Sequence, residues 1–169
     1  QNIKTDLTVG AGSKQSFAIS VYQTDIAGNR SPVSDTLEFT VDTNKTRLLA
    51  VKSSKSNETC TTGAVIDITL EFSRSTSGNI SIALNNNKTI SGGNWSNDGF
   101  VYTATYTVGN AVGETKSPLQ ITGISGTVRD DLGTQSMSAL WSNTDDMNLS
   151  SYNVSIDTIA PSISSFVPN

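Results

Sequence analysis

The sequence predicts an all-β sandwich fold, and three observations predict it. Charged residues make up only 15% of the 169 and apolar residues 35%, so polarity is carried by Ser, Thr and Asn. Those short side chains are poor helix formers and suit turns and solvent-facing strand positions. Apolar residues recur at period two, with no convincing helical stripe over eleven or more residues. Clusters of Asn, Gly, Ser and Asp cut the alternation into short runs.

Taken in order, the strands are read as follows. A first run covers Lys4 to Val9. Ser16 to Gln23 sets Phe17, Ile19 and Val21 against Ala18, Ser20 and Tyr22. Asp35 to Val41 sets Leu37, Phe39 and Val41 against Thr36, Glu38 and Thr40. Ala64 to Phe72 is the strongest, with Ala64, Ile66, Ile68, Leu70 and Phe72 on one face and Asp67, Thr69 and Glu71 on the other. Asn79 to Leu84 carries Ile80, Ile82 and Leu84. Phe100 to Val108 carries Phe100, Tyr102, Ala104, Tyr106 and Val108. Leu119, Ile121, Ile124 and Val128 form the next strand, with Gly123 and Gly126 as bulge points. Tyr152, Val154 and Ile156 close the set. About seven short strands with regular turns are the mark of an immunoglobulin-like sandwich of about 100 residues.

An internal repeat sets the organisation. Asp25-Ile-Ala-Gly-Asn29 precedes a strand and then Val41-Asp42-Thr43; Asp130-Asp-Leu-Gly-Thr134 precedes a last strand and then Ile156-Asp157-Thr158. The spacing is that of one sandwich. Residues 1–42 therefore read as the last strands of one module, 43–157 as a complete module, and 158–169 as the linker and first strand of another. Gln1 at the start fits a processed or excised piece.

These motifs resemble those of bacterial immunoglobulin-like tandem repeats in large cell-surface adhesins and surface-layer-like proteins. Ile156-Asp157-Thr158-Ile159-Ala160-Pro161 is similar to their V-D-T-x-A-P junction, and Asp25 to Asn29 to their D-x-A-G-N turn. Thr69 to Ser73 and Gly126 to Gly133 resemble further strand and turn motifs of the class. Asn44-Lys45 stands where Ala-Pro is usual, which leaves that junction less rigid. The resemblance implies an extracellular, cell-surface protein whose partners are neighbouring modules of the same chain, other copies of the chain, or surface glycans. It also implies calcium at module junctions, because hard cations prefer carboxylate and carbonyl oxygens. Asp25, Asn29 and Asp42 are the candidate ligands at one junction, and Asp130, Asp131 and Asp157 at the other. The alternative is that these aspartates cap tight turns through their own side chains.

Composition narrows the function. The chain has no His, which removes the usual general base and the commonest metal ligand, so no enzyme is expected. The net charge of −4 comes with no basic stripe, which argues against nucleic acid. No apolar run approaches the roughly 20 residues that span a bilayer. Cys60 has no partner for an intrachain disulfide. Eight Asn-x-Ser/Thr triplets begin at Asn29, Asn44, Asn57, Asn79, Asn87, Asn94, Asn148 and Asn153. Trp95 and Trp141 lie in polar stretches, either covering the open ends of the sandwich or offering stacking surfaces to sugars. Three roles follow: a non-catalytic spacer repeat contributing to adhesion or display, a subunit of a surface-layer or filament assembly, or a carbohydrate-binding accessory module.

Overall fold

The computed structural model describes residues 8–109 and 118–162. The chain divides into two compact units, Gln1–Lys45 and Thr46–Asn169. The division falls three residues beyond the Asp42 boundary read from the repeat.

The first unit is a two-stranded ribbon. β1 (Lys14–Ile19) pairs antiparallel with β2 (Leu37–Asp42), with Phe17 opposite Phe39 and Ile19 opposite Leu37. Period-two geometry gathers Phe17, Ile19, Leu37, Phe39 and Val41 on one face. The Phe17 and Phe39 rings stack there with centroids 5.5 Å apart. The other face is polar, and the Ser16 and Thr40 hydroxyls bond across it at 2.9 Å. Beyond the strands the two arms stay joined through Ser34 N–H to Val21 O and Ser31 N–H to Gln23 O, both 2.8 Å. The ribbon ends in a tip at Asp25 to Asn29. No apolar side chain of its described residues is fully buried, and Leu37 is 64% exposed. The strand expected over residues 4–9 lies largely outside the described residues.

The second unit is a sandwich of two four-stranded sheets. Its strands are β3 (Leu48–Ser53), β4 (Thr59–Cys60), β5 (Val65–Phe72), β6 (Ser77–Leu84), β7 (Thr89–Ser91), β8 (Asn94–Trp95), β9 (Val101–Thr107), β10 (Ile121–Asp130), β11 (Gly133–Ser136) and β12 (Ser155–Ile156). One sheet has the order β3-β5-β9-β8 and the other β11-β10-β6-β7. β4 and β12 pair in parallel as a separate small sheet. The inward rows match the sequence alternation: Ile66, Ile68, Leu70 and Phe72 from β5, Ile80, Ile82 and Leu84 from β6, and Tyr102, Ala104 and Tyr106 from β9 are all buried in one core. The Tyr102 hydroxyl donates to Ile80 O at 3.1 Å, so one buried phenol ties the two sheets together.

Two strands break the alternation, and both are bulged. Leu48 and Val51 are both buried although three residues apart, as are Ile121 and Ile124. In a regular strand such pairs face opposite sides. The register shifts between Leu48 and Ala50 in β3, and between Ile121 and Gly123 in β10. Each extra residue restores the inward phase. Gly126, expected as a second bulge point, instead stays in register opposite Ile80. It is needed for another reason: φ is +106°, and a Cβ there would lie 2.1 Å from Asn79 O.

The segment from Met137 to Tyr152 corrects the expectation of strand alone. It holds a short helix, α1 (Met137–Leu140), and single 3-10 turns at Asp145–Met147 and Ser150–Tyr152. These close one end of the core with Met137 and Leu149, both fully buried. The tryptophans are covers too. Trp95 packs on Phe72 and Tyr102 with centroids 5.2 and 5.1 Å away, and its Nε1–H donates to Gly78 O at 2.9 Å. Trp141 Nε1–H donates to Met147 O at 2.7 Å. Phe100, expected on the inward row, lies just before β9 and is 41% exposed. Cys60 is buried, and burial pushes its thiol pKa up.

Candidate functional site

The six aspartate and asparagine candidates fall on turns, and the geometry of each turn decides what the side chain does. In the ribbon, Asp25 Oδ1 accepts from Asn29 N–H at 2.8 Å and Oδ2 from the Asn29 amide at 2.9 Å. The Asn29 side-chain bond, with its backbone bond behind it, holds the Asp25 carboxyl below the ordinary carboxylate range. Gly28, at φ +89°, closes the tip. Asp42 sits at the other end of the ribbon, opposite Lys14. Its Oδ1 accepts from both the N–H and the side-chain amide of Asn44, each at 2.9 Å. The ribbon thus brings Asp25 and Asn29 together and keeps Asp42 apart from them.

In the sandwich, Asp130 is the most committed carboxylate. Its side chain is fully buried beside Arg74, whose Nε lies 3.9 Å from Oδ2. Oδ2 accepts from Thr46 Oγ1–H at 2.6 Å and Thr46 N–H at 3.1 Å, while Oδ1 accepts from Leu132 N–H at 2.8 Å. Burial pushes its pKa up, but the Thr46 and Leu132 hydrogen bonds and the Arg74 charge together outweigh burial, and the net shift is downward. Asp131 points outward and holds Arg74 Nη2 through both oxygens, at 2.8 and 3.0 Å. Asp157 lies elsewhere. Its N–H donates to Cys60 O, beside the β4–β12 pair, and its Oδ1 accepts from Ile159 N–H at 3.2 Å.

The distance between these two places follows from β10. Leu119 N–H donates to Val154 O just ahead of that strand, and Pro118 bridges to Ser155. Asp130 ends the same strand. Ten strand residues span about 30 Å. Asp130 and Asp131 therefore stand at one pole of the sandwich and Asp157 at the other. Among the described residues no three acidic, Cys or His side chains converge on a point where a metal ion would sit. Each candidate carboxylate already accepts from protein donors. The structure thus brings Asp25 to Asn29 and Asp130 to Asp131, and sets Asp157 apart from the second pair.

One structural parallel follows the Asp-Thr repeat read from sequence, and one feature was not anticipated. Asp42 and Asp157, 115 residues apart, make the same turn, each carboxylate accepting the N–H two residues on. Asn148 is buried, with Oδ1 accepting from Ile121 and Leu149 N–H at 2.8 and 2.7 Å and Nδ2 donating to Ile121 O at 3.0 Å. It satisfies both backbone groups of Ile121 beside the β10 bulge, a task invisible to pattern reading. No protein-family model, curated protein or solved structure matches this chain.

Proposed function

We propose that the chain is a non-catalytic spacer region of an extracellular surface protein, built from immunoglobulin-like repeats whose job is reach and display. One observation carries the reading: the second unit takes in its chain at one pole, where Thr46 is held by Asp130, and releases it at the other, beyond Ile156. A module entered and left at opposite poles extends an array by its own length each time it is repeated. The repeated Asp-Thr turn at Asp42 and Asp157 supports the same reading, because it marks equivalent exits from two β units. The polar outer rows, such as Thr105 Oγ1–H bonded to Asp67 at 2.7 Å and Lys52 paired with Glu71, suit a surface that stays solvated.

The test is to join one, two and three copies of residues 46–157 in series and measure small-angle scattering. Each added copy lengthens the maximum dimension by about 30–40 Å if entry and exit are polar. A compact particle whose length does not grow would refute it. Surface location is tested separately: antibodies against the sandwich label intact cells that make the parent protein, without lysis.

A further inference from the structure

The entry pole of the sandwich carries a cleft of about 630 Å³, and the spacer reading does not use it. Its floor is the loop after β5, its rim the end of β10, and its third wall the residue before β9. Arg74, Ser75, Ser77, Phe100, Arg129 and Asp131 supply the groups that a ligand would meet.

The cleft is fixed before any ligand arrives. Thr76 is buried, and its N–H and Oγ1–H both donate to Gly99 O, at 2.9 and 3.1 Å. Gly99 has φ of +73°, and a Cβ there would come within 2.6 Å of Ser75 Oγ. Only glycine lets the loop and the start of β9 lie this close. On the other wall, Ser73 N–H donates to Arg47 O and Arg47 N–H to Ser73 Oγ, both at 2.9 Å. Arg74 is tethered through Nη2, which donates to both Asp131 oxygens. A preformed polar cleft loses little freedom when it binds.

Its chemistry is mixed in a particular way. Arg74 and Arg129 line the cleft together with Asp130 and Asp131, so the lining has no formal net charge. Planar donors and acceptors and small hydroxyls stand beside one half-exposed aromatic ring, Phe100. A ligand that matches is uncharged, carries several hydroxyls, and has one apolar C–H face to lie against the ring. We infer that this cleft binds a neutral saccharide, with Phe100 as the stacking surface and Arg129 and Asp131 as the hydroxyl partners. Of the two roles read for the tryptophans, both side chains take that of covering the core, and Phe100 is left as the ring that a sugar could meet.

The experiment is saturation-transfer NMR on the whole chain with cellotetraose as the probe. Tetraglycine and sulfate serve as competing chemistries. Saturation is expected on the C–H protons of one ring face, with a dissociation constant of about 1 mM. Phe100→Ala and Arg129→Ala should each weaken binding by about tenfold or more, while Phe100→Tyr retains it. Backbone amide spectra of each variant, unchanged outside residues 73–77 and 99–101, show that the fold is kept. No transfer at about 10 mM sugar, transfer undiminished in folded Phe100→Ala, or binding of tetraglycine or sulfate in preference to the sugar would each overturn the inference. The scattering result for the array does not bear on it, so the two readings fail separately.

Discussion

At Asp130 a single carboxylate joins the first residue of the sandwich to the turn after β10, across 84 residues of sequence. Its folded-state pKa lies below the ordinary value of 3.8, so the folded form binds its proton more weakly than the unfolded form does. The stabilisation is therefore complete above that ordinary value and is lost as the pH falls through the lower folded value. Asp130→Asn, which keeps the shape and removes the charge, should cost about 1–3 kcal/mol at pH 7 and flatten the acid limb of stability below pH 4. Urea denaturation at pH 7 and pH 3 checks both; an unchanged acid limb would mean that other groups set it. The sequence identified Asp130 as a turn residue. It did not reveal the Thr46 bond, because hydrogen-bond partners so distant in sequence leave no local pattern. Asn148 was hidden for the same reason, read only as the start of an Asn-x-Ser triplet.

At the scale of strands, period two was legible wherever the strand is regular. β5, β6 and β9 carry the inward rows that the alternation named. β3 was missed because its buried residues, Leu48 and Val51, are spaced by three, which hides a strand from any period-two reading. α1 and the turns near it were missed because four-residue helices have too few positions to show a stripe. β5 gives the sharpest test of facing. Leu70→Ala should cost about 2–5 kcal/mol and Thr69→Ala under about 1 kcal/mol, since Leu70 is fully buried and Thr69 lies on the outer face. Equal losses in a urea series would mean that the outer face of β5 is covered in solution.

For the molecule as a whole, the sequence anticipated an all-β sandwich. What it could not place was the relation between motifs that look alike. Asp130 and Asp157 belong to one repeat on paper, yet β10 holds them at opposite poles. A junction stiffened by calcium needs several oxygens within about 2.5 Å of one point. The expected outcome is that 5 mM calcium or excess chelator moves the melting temperature of the chain by less than about 2 °C. Differential scanning calorimetry decides it, and a larger rise with calcium would place a site that the described residues do not form.

The parallel pairing of β4 with β12 has a mechanical meaning. When a chain is pulled from both sides, Thr46 is drawn toward one pole and Asp157 toward the other. The pull enters through β3, which β5 holds, and what passes on to β4 would shear it along β12. Ser155 N–H to Glu58 O and Asp157 N–H to Cys60 O, at 2.9 and 3.0 Å, lie across that motion and take the load together. Strands peeled from one end give way a bond at a time, whereas strands loaded in shear must lose their bonds at once. A clamp of this kind would let the sandwich carry tension between its two poles while its core stays closed.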